Sequence, residues 1–157
     1  MTITTGSTVP TIRPAVDGDL RRVLALLEAS ALPTVGIAEG LCSLIVAEHD
    51  GAIVGVVGLE ARSDRYALLR STAVDEAWRG KGLGRRLVER AIAQALVRGV
   101  DALYLLTTTA ETYFPSFGFT PVARDTVPEE LRATEEFTGA CPASATVMSL
   151  CLTETRA

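Results

Sequence analysis

The chain has 157 residues, 48% hydrophobic and 22% charged, with a formal net charge of −4 at pH 7. This is the length of one domain with a real core, in an ordinary globular composition. The acidic balance argues against nucleic acid as the partner, because duplex binding wants a basic face, and no apolar run reaches the length that spans a bilayer.

The segment from Met1 to Val9 is polar and threonine-rich and carries no charged-then-apolar signal pattern. Residues 1–8 read as a flexible tail. Pro10 to Pro14 is expected to form a short edge strand. Asp17 is placed to cap a helix running to about Ala31, with Leu20, Val23, Leu24 and Leu27 on one face and Pro33 ending it. Residues 34–42 hold a short helical turn in this reading. Leu44 to Glu48 is a strand, Asp50-Gly51 a hairpin turn, and Ala52 to Ala61 the return strand. Gly55 and Gly58 in that strand point to a bulge or a close neighbour. Ser63-Asp64 turns the chain into a strand over 66–74.

Next comes Arg79-Gly80-Lys81-Gly82-Leu83-Gly84. Three glycines let the backbone turn tightly and leave its N–H groups uncovered. The helix that follows, over 83–98, repeats Leu83, Leu87, Val88, Ala91, Ile92, Ala95 and Leu96 at helical spacing, and Gly99 fits its C-terminal cap. A helix start offers free N–H donors and the positive end of a dipole. Glycine loop and helix start together make a seat for a phosphate or pyrophosphate. Arg79, Lys81, Arg85 and Arg86 are cations at a helix N-terminus, an unfavourable placement without an anion nearby. Ala102 to Leu106 is a buried strand parallel to 66–74, so that strand, helix and strand form a right-handed βαβ unit. A short helix at about 110–117, a strand near 119–123, a helix at about 127–137 and a last strand at 144–152 complete the domain.

Two common phosphate loops do not fit. The loop of nucleotide hydrolases needs a glycine five positions before the Gly-Lys pair and Ser or Thr after it; Asp75 and Gly82 occupy those places. The dinucleotide fingerprint needs a glycine where Arg85 stands. The pattern Arg79-x-x-Gly82-x-Gly84 instead resembles the pyrophosphate loop of the GNAT superfamily of acyl-CoA-dependent N-acetyltransferases. A second block, Phe114-Pro-Ser-Phe-Gly-Phe119, is similar to that family's aromatic-x-x-x-Gly-Phe segment beside the coenzyme. The order of elements agrees over nearly the whole chain. More narrowly, Leu68 to Ser71, Leu103 to Thr109, Glu136-Phe137 and Cys141 to Ala145 resemble the arsenic-resistance-operon branch, itself similar to short N-acetylglutamate synthases.

The resemblance implies an α+β fold, an α/β/α sandwich with a mixed, mostly antiparallel sheet and a splayed central parallel pair, and a single acetyltransferase domain over 1–157. It implies acetyl-CoA as cosubstrate and an amino-acid-like amine as acceptor, and it is compatible with a homodimer; the cysteine usage fits the cytoplasm. By resemblance the backbone of Thr72, Ala73 and Val74 pairs with the pantetheine arm. Residues Arg79, Gly80, Lys81, Gly82, Leu83, Gly84 and Arg85 hold the pyrophosphate, and Thr107, Phe114 and Phe117 lie beside the coenzyme.

Acetyl transfer needs a neutral amine, a polarised carbonyl, a stabilised thiolate and alignment. Glu60 closes the run Val56-Val57-Gly58-Leu59, where a carboxylate invites an explanation. It reads either as the base, acting through water, or as an outward-facing strand residue. Arg70 interrupts an apolar run in the next strand. It reads either as a clamp for an acceptor carboxylate or as a partner of Glu60. Many family members place a tyrosine where this chain has Phe114, which has no proton to give. Tyr113 is a candidate acid, although a helical neighbour points about 100° away. Thr107 to Thr109 could supply hydroxyls or merely cap a strand end. A protein acetyltransferase and a non-catalytic acyl-CoA sensor are the alternatives. The sole histidine, His49, beside the Asp50-Gly51 turn, reads as exposed and non-catalytic. Cys42, Cys141 and Cys151 are odd in number and widely spaced, with no metal-ligand spacing, so no metal is expected and a reduced compartment fits. Cys141 reads as a small buried hydrophobe.

Overall fold

A computed structural model describes residues 9–34, 36–61, 63–108, 110–134, 137 and 145–153. Among the described residues seven strands are hydrogen-bonded in the order β1-β2-β3-β4-β5-β7-β6. They are β1 (Thr11–Pro14), β2 (Leu44–His49), β3 (Ala52–Ala61), β4 (Tyr66–Val74), β5 (Ala102–Thr107), β6 (Thr120–Pro121) and β7 (Thr146–Cys151). Among the described residues the α-helices are α1 (Leu20–Ala29), α2 (Leu83–Val97) and α3 (Glu129–Arg132). By contacts the chain forms two compact units, Met1–Val57 with Ser71–Val88, and Gly58–Arg70 with Glu89–Ala157. β3, β4 and α2 each contribute residues to both.

In the first unit β1 pairs antiparallel with β2, Thr11 opposite Glu48 and Pro14 opposite Ile45. The β2–β3 turn has Asp50 at φ 49° and Gly51 at φ 80°, the two left-handed residues that a two-residue hairpin of matching twist requires. Val23, Leu26 and Leu27 of α1 pack with Ile37, Leu41, Leu44, Val46, Ile53, Val56 and Ala73. β3 is buried continuously from Ile53 to Leu59, which is why its sequence lacks the alternation of a half-exposed strand.

Asp17 does not cap α1. It lies in a 3-10 turn, Asp17–Asp19, ahead of the helix, and the carboxylate that organises this corner belongs to Asp19. Asp19 is 1% exposed. Its oxygens accept from Val16 N–H at 2.8 Å, from Arg13 at 2.8 and 2.9 Å, and from Arg22 at 2.9 Å. Arg13 also reaches Glu48 at 3.2 Å, and Arg22 donates to Gly51 O, so one buried carboxylate ties β1, the hairpin and α1 together. The helix stops at Ala29, two residues before the expected end and well before Pro33, because Ala31 turns left-handed at φ 57°.

The Arg13 hydrogen bonds, opposed by burial and helped by Val16 N–H and the two guanidinium charges, pull the Asp19 carboxyl down to about 2. A folded-state value below the unfolded one stabilises the protein above the unfolded value, near 3.8, and that contribution is lost as pH falls toward 2. It amounts to about 2 kcal/mol. Asp19→Asn is therefore expected to lower the unfolding free energy by about 2–4 kcal/mol at pH 7. In urea titrations the gap from native should close as pH approaches 2. A gap independent of pH would contradict the assignment.

In the second unit β4 runs parallel to β5, with Tyr66 opposite Ala102 and Leu68 opposite Tyr104. The parallel register ends there, although β5 continues to Thr107 paired antiparallel with β7. Leu68, Val127, Leu131 and Val147 form the local core, flanked by Tyr66, Tyr104, Leu106, Val122 and Phe137. The helix expected at 110–117 is a turn followed by a 3-10 segment, Phe114–Phe117, with Pro115 inside it and Gly118 at φ 101° closing it. The helix expected over 127–137 shortens to the single turn of α3, and part of that stretch, with Cys141 and Glu136, lies outside the described residues. The strand near 119–123 is two residues long, at the opposite end of the strand order from β1.

Candidate functional site

The glycine loop joins β4 to α2 within the first unit. A 3-10 turn, Glu76–Trp78, leads into it, with the Asp75 carboxylate accepting from Ala77 N–H at 2.9 Å and Asp75 N–H donating to Val54 O at 2.8 Å. Gly80 and Gly82 stand at φ 75° and 81°, and a side chain on either would project into open space. Both positions thus need glycine for backbone conformation and not for room. Gly82 O accepts from Arg86 N–H at 3.1 Å, so Gly82 is the residue that starts α2. First-turn amides of a helix have no acceptor within the helix and carry the positive end of its dipole. The loop and the first turn of α2 thus lie together, with Gly80, Lys81 and Gly82 at an exposed surface.

α2 is held where it starts by a close approach to β3. A methyl group on Gly55 would come 2.7 Å from Leu87 Cδ1 and 3.3 Å from Leu83 Cδ2. Leu83 and Leu87 are buried, so glycine at 55 lets the first turns of the helix seat against the strand. Of the two readings of Gly55, the close neighbour holds. The loop cations take definite places too. Arg79 Nε donates to Val74 O at 3.1 Å, tying the loop back to the end of β4, and the Lys81 ammonium lies 5.2 Å from the centre of the Trp78 ring. His49 is not a free surface residue: its ring lies tilted against Trp78, with centroids 4.7 Å apart.

One feature of β4 has no signal in the sequence. Ser71 lies at φ 56° inside the strand. A left-handed non-glycine residue costs about 1–3 kcal/mol and clusters where a strand must be re-aimed. It immediately precedes Thr72, Ala73 and Val74. Only the run Arg70-Ser71-Thr72 could have hinted at it, and serine there looks like any strand residue.

In the second unit Glu60 and Arg70 meet across the β3–β4 turn. Arg70 Nη1 donates to Glu60 Oε1 at 2.7 Å, with 8% of the Arg70 side chain exposed and 21% of Glu60. The turn is centred as the pairing requires, with Ser63 Oγ accepting from the N–H groups of Arg65 and Tyr66 at 3.2 Å each. The pairing of Arg70 with Glu60 is present, and Glu60 stays partly open to solvent. Thr107 Oγ1 accepts from Ala110 N–H at 2.9 Å, the strand-end capping role. Thr109 lies outside the described residues. Phe114 is buried, packed edge-on against Phe119 and Tyr113, and Tyr113 also meets Phe117 edge-on. Tyr113 is exposed.

Among the described residues no group of three or more His, Cys, Asp or Glu could hold a metal ion, and no helix is long and apolar enough to cross a membrane.

A family profile described as the acetyltransferase (GNAT) domain matches residues 40–121, just over half of the chain, from the start of β2 through the glycine loop to β6. The chain belongs to the GNAT family. An amino-acid acetyltransferase of Mycobacterium tuberculosis is 30% identical over 128 residues, covering 80% of this chain and 70% of that protein. An uncharacterized N-acetyltransferase of Chlorobaculum tepidum is 30% identical over 95 residues, and the match spans 61% of its length and 60% of this chain. A crystal structure of a Mycobacterium tuberculosis protein in complex with CoA and NLQ superposes with a TM-score of 0.76 at 25% identity, covering 91% of this chain and 99% of that one. The strand order with its parallel β4–β5 pair is thus a GNAT sheet, as the motif resemblance implied.

Proposed function

We propose that this GNAT protein transfers the acetyl group of acetyl-CoA to the primary amine of a small amino-acid-like acceptor, by direct attack in a ternary complex. The observation that carries the reading is the pair of left-handed glycines, Gly80 and Gly82, set at the N-terminus of the 15-residue α2. A pyrophosphate carries charge that first-turn amides and a helix dipole accept without a metal. Gly80 to Arg85 would supply those amides, and Arg79 and Lys81 the cations. The relative named an amino-acid acetyltransferase supports the acceptor class.

In the step itself the amine nitrogen attacks the thioester carbonyl, the carbon–sulfur bond breaks, and one proton leaves the nitrogen. Glu60, held in place by Arg70, takes that proton through water in this reading. The backbone of Thr72 to Val74, re-aimed by Ser71, binds the pantetheine arm and polarises the carbonyl. Thr107, Phe114 and Phe117 flank the coenzyme. The departing thiolate has an ordinary thiol pKa of about 8.5 and takes its proton from water or from Tyr113 or Thr109. Within the family we place the chain in the arsenic-resistance-operon branch on the residue resemblance at Leu68–Ser71 and Leu103–Thr109, and in the cytoplasm on its three widely spaced cysteines.

Phe114 in place of a tyrosine favours one rival, an acyl-CoA sensor without turnover. Thiol release from acetyl-CoA, measured against a panel of amino acids including glutamate and arsenic- or phosphorus-containing analogues, separates the two. Turnover on at least one small amine is expected. Turnover only on protein lysates would favour a protein acetyltransferase, and binding without turnover on any amine would favour the sensor.

A further inference from the structure

Beside the glycine loop, His49, Trp78 and Lys81 form a cluster in which Trp78 and His49 have no role so far. His49 ends β2, Trp78 ends the 3-10 turn before the loop, and Lys81 stands between the two left-handed glycines. The Trp78 ring is half-buried, tilted 60° against the His49 imidazole at 4.7 Å, and the Lys81 ammonium lies 5.2 Å from its centre. Among the described residues Lys81 has no carboxylate partner. A carboxylate there would neutralise the ammonium. An aromatic face attracts the cation through its quadrupole and leaves the charge intact.

This arrangement answers a problem that the loop poses. Glycines at 80 and 82 give the backbone its turn, but they also give it many unproductive conformations. Lysine adds a flexible four-carbon stem, whose ordering opposes binding. An indole that is itself braced by His49 fixes the entry to the loop and the far end of its lysine together. We propose that Trp78 is a positioning residue for the coenzyme: it holds the Lys81 ammonium and the adjoining amides in place before the pyrophosphate arrives. The inference rests on reading Gly80 to Arg85 as the pyrophosphate seat.

The test is the CoA dissociation constant, by calorimetry, for native protein, Trp78→Leu, Trp78→Phe, Lys81→Met and the Trp78→Leu/Lys81→Met double variant, with thermal melts of each. Gly82→Asp serves as the control for the loop itself. Trp78→Leu is expected to weaken binding about tenfold, and Trp78→Phe, which keeps an aromatic face, to restore it to within about threefold of native. Lys81→Met should cost about as much as Trp78→Leu, and the double variant little more than either, because the two act as one unit. Native-like affinity in Trp78→Leu, equal losses in the Leu and Phe variants, or a double variant near the product of the two single losses would each overturn the proposal. If Gly82→Asp and Lys81→Met weaken binding while Trp78→Leu does not, the inference on Trp78 alone fails. If Gly82→Asp also binds like native, the loop reading fails and takes the inference with it.

Discussion

Gly82→Asp is expected to abolish measurable acetyl-CoA binding, with a loss of at least about 100-fold, while the protein stays folded. The reasons are local. Gly82 stands at φ 81°, where a side chain strains the backbone, and it is the residue from which α2 starts. A carboxylate placed there would sit among the amides that receive the pyrophosphate, turning an attraction into a repulsion. The space beside Gly82 is open, so no buried contact is lost and no clash arises. The stability cost is then the left-handed strain alone, about 1–2 kcal/mol, or a few degrees in melting temperature. Gly82→Ala separates the two effects, since it carries the strain without the charge. It is expected to lose less affinity than the aspartate. Calorimetric titration of both variants, with their melting curves, checks the pair, and affinity within twofold of native in Gly82→Asp would refute the loop assignment.

Glu60→Gln is expected to lower turnover about 100-fold or more near pH 6–7, with a much smaller loss above pH 9. Near neutral pH the α-amine of a free amino acid is almost wholly protonated and cannot attack, so a proton must be removed; at high pH the acceptor arrives neutral. Glutamine keeps an oxygen for the 2.7 Å hydrogen bond from Arg70, and so leaves the largely buried guanidinium a partner. Glu60→Ala would not, and removing one member of such a pair typically costs about 3–5 kcal/mol. The glutamine variant therefore reports on proton transfer and the alanine variant on structure. The same fractional loss at every pH would leave Glu60 as the structural partner of Arg70 and remove it as the base.

What the sequence made legible was governed by local rules. Asp50-Gly51 demanded a tight hairpin, the leucines of α2 repeat at helical spacing, and Gly80 and Gly82 sit where a strand turns into a helix. Each depends on residues a few positions apart, and each appears in the structure. The Glu60–Arg70 pair was legible as one of two alternatives, because a hairpin fixes which residues can face each other. The features that were not legible join distant parts of the chain or break a local preference. Asp19 rather than Asp17 organises the first helix, because its partners Arg13, Arg22 and Val16 converge only once β1 and α1 have docked. His49 meets Trp78 only after β2 and the loop are in place. Ser71 adopts a conformation that serine disfavours, and only tertiary structure imposes such a choice.

If the Gly80–Arg85 loop seats the pyrophosphate of acetyl-CoA, affinity must depend on the phosphates. Titrating the native protein with CoA and with pantetheine, which shares the thiol arm but lacks every phosphate, measures that dependence. Saturable binding of CoA is expected, with a dissociation constant between about 1 µM and 1 mM, and at least about tenfold weaker binding of pantetheine. Equal affinities for the two, or no saturable binding of CoA in the millimolar range, would contradict that seat.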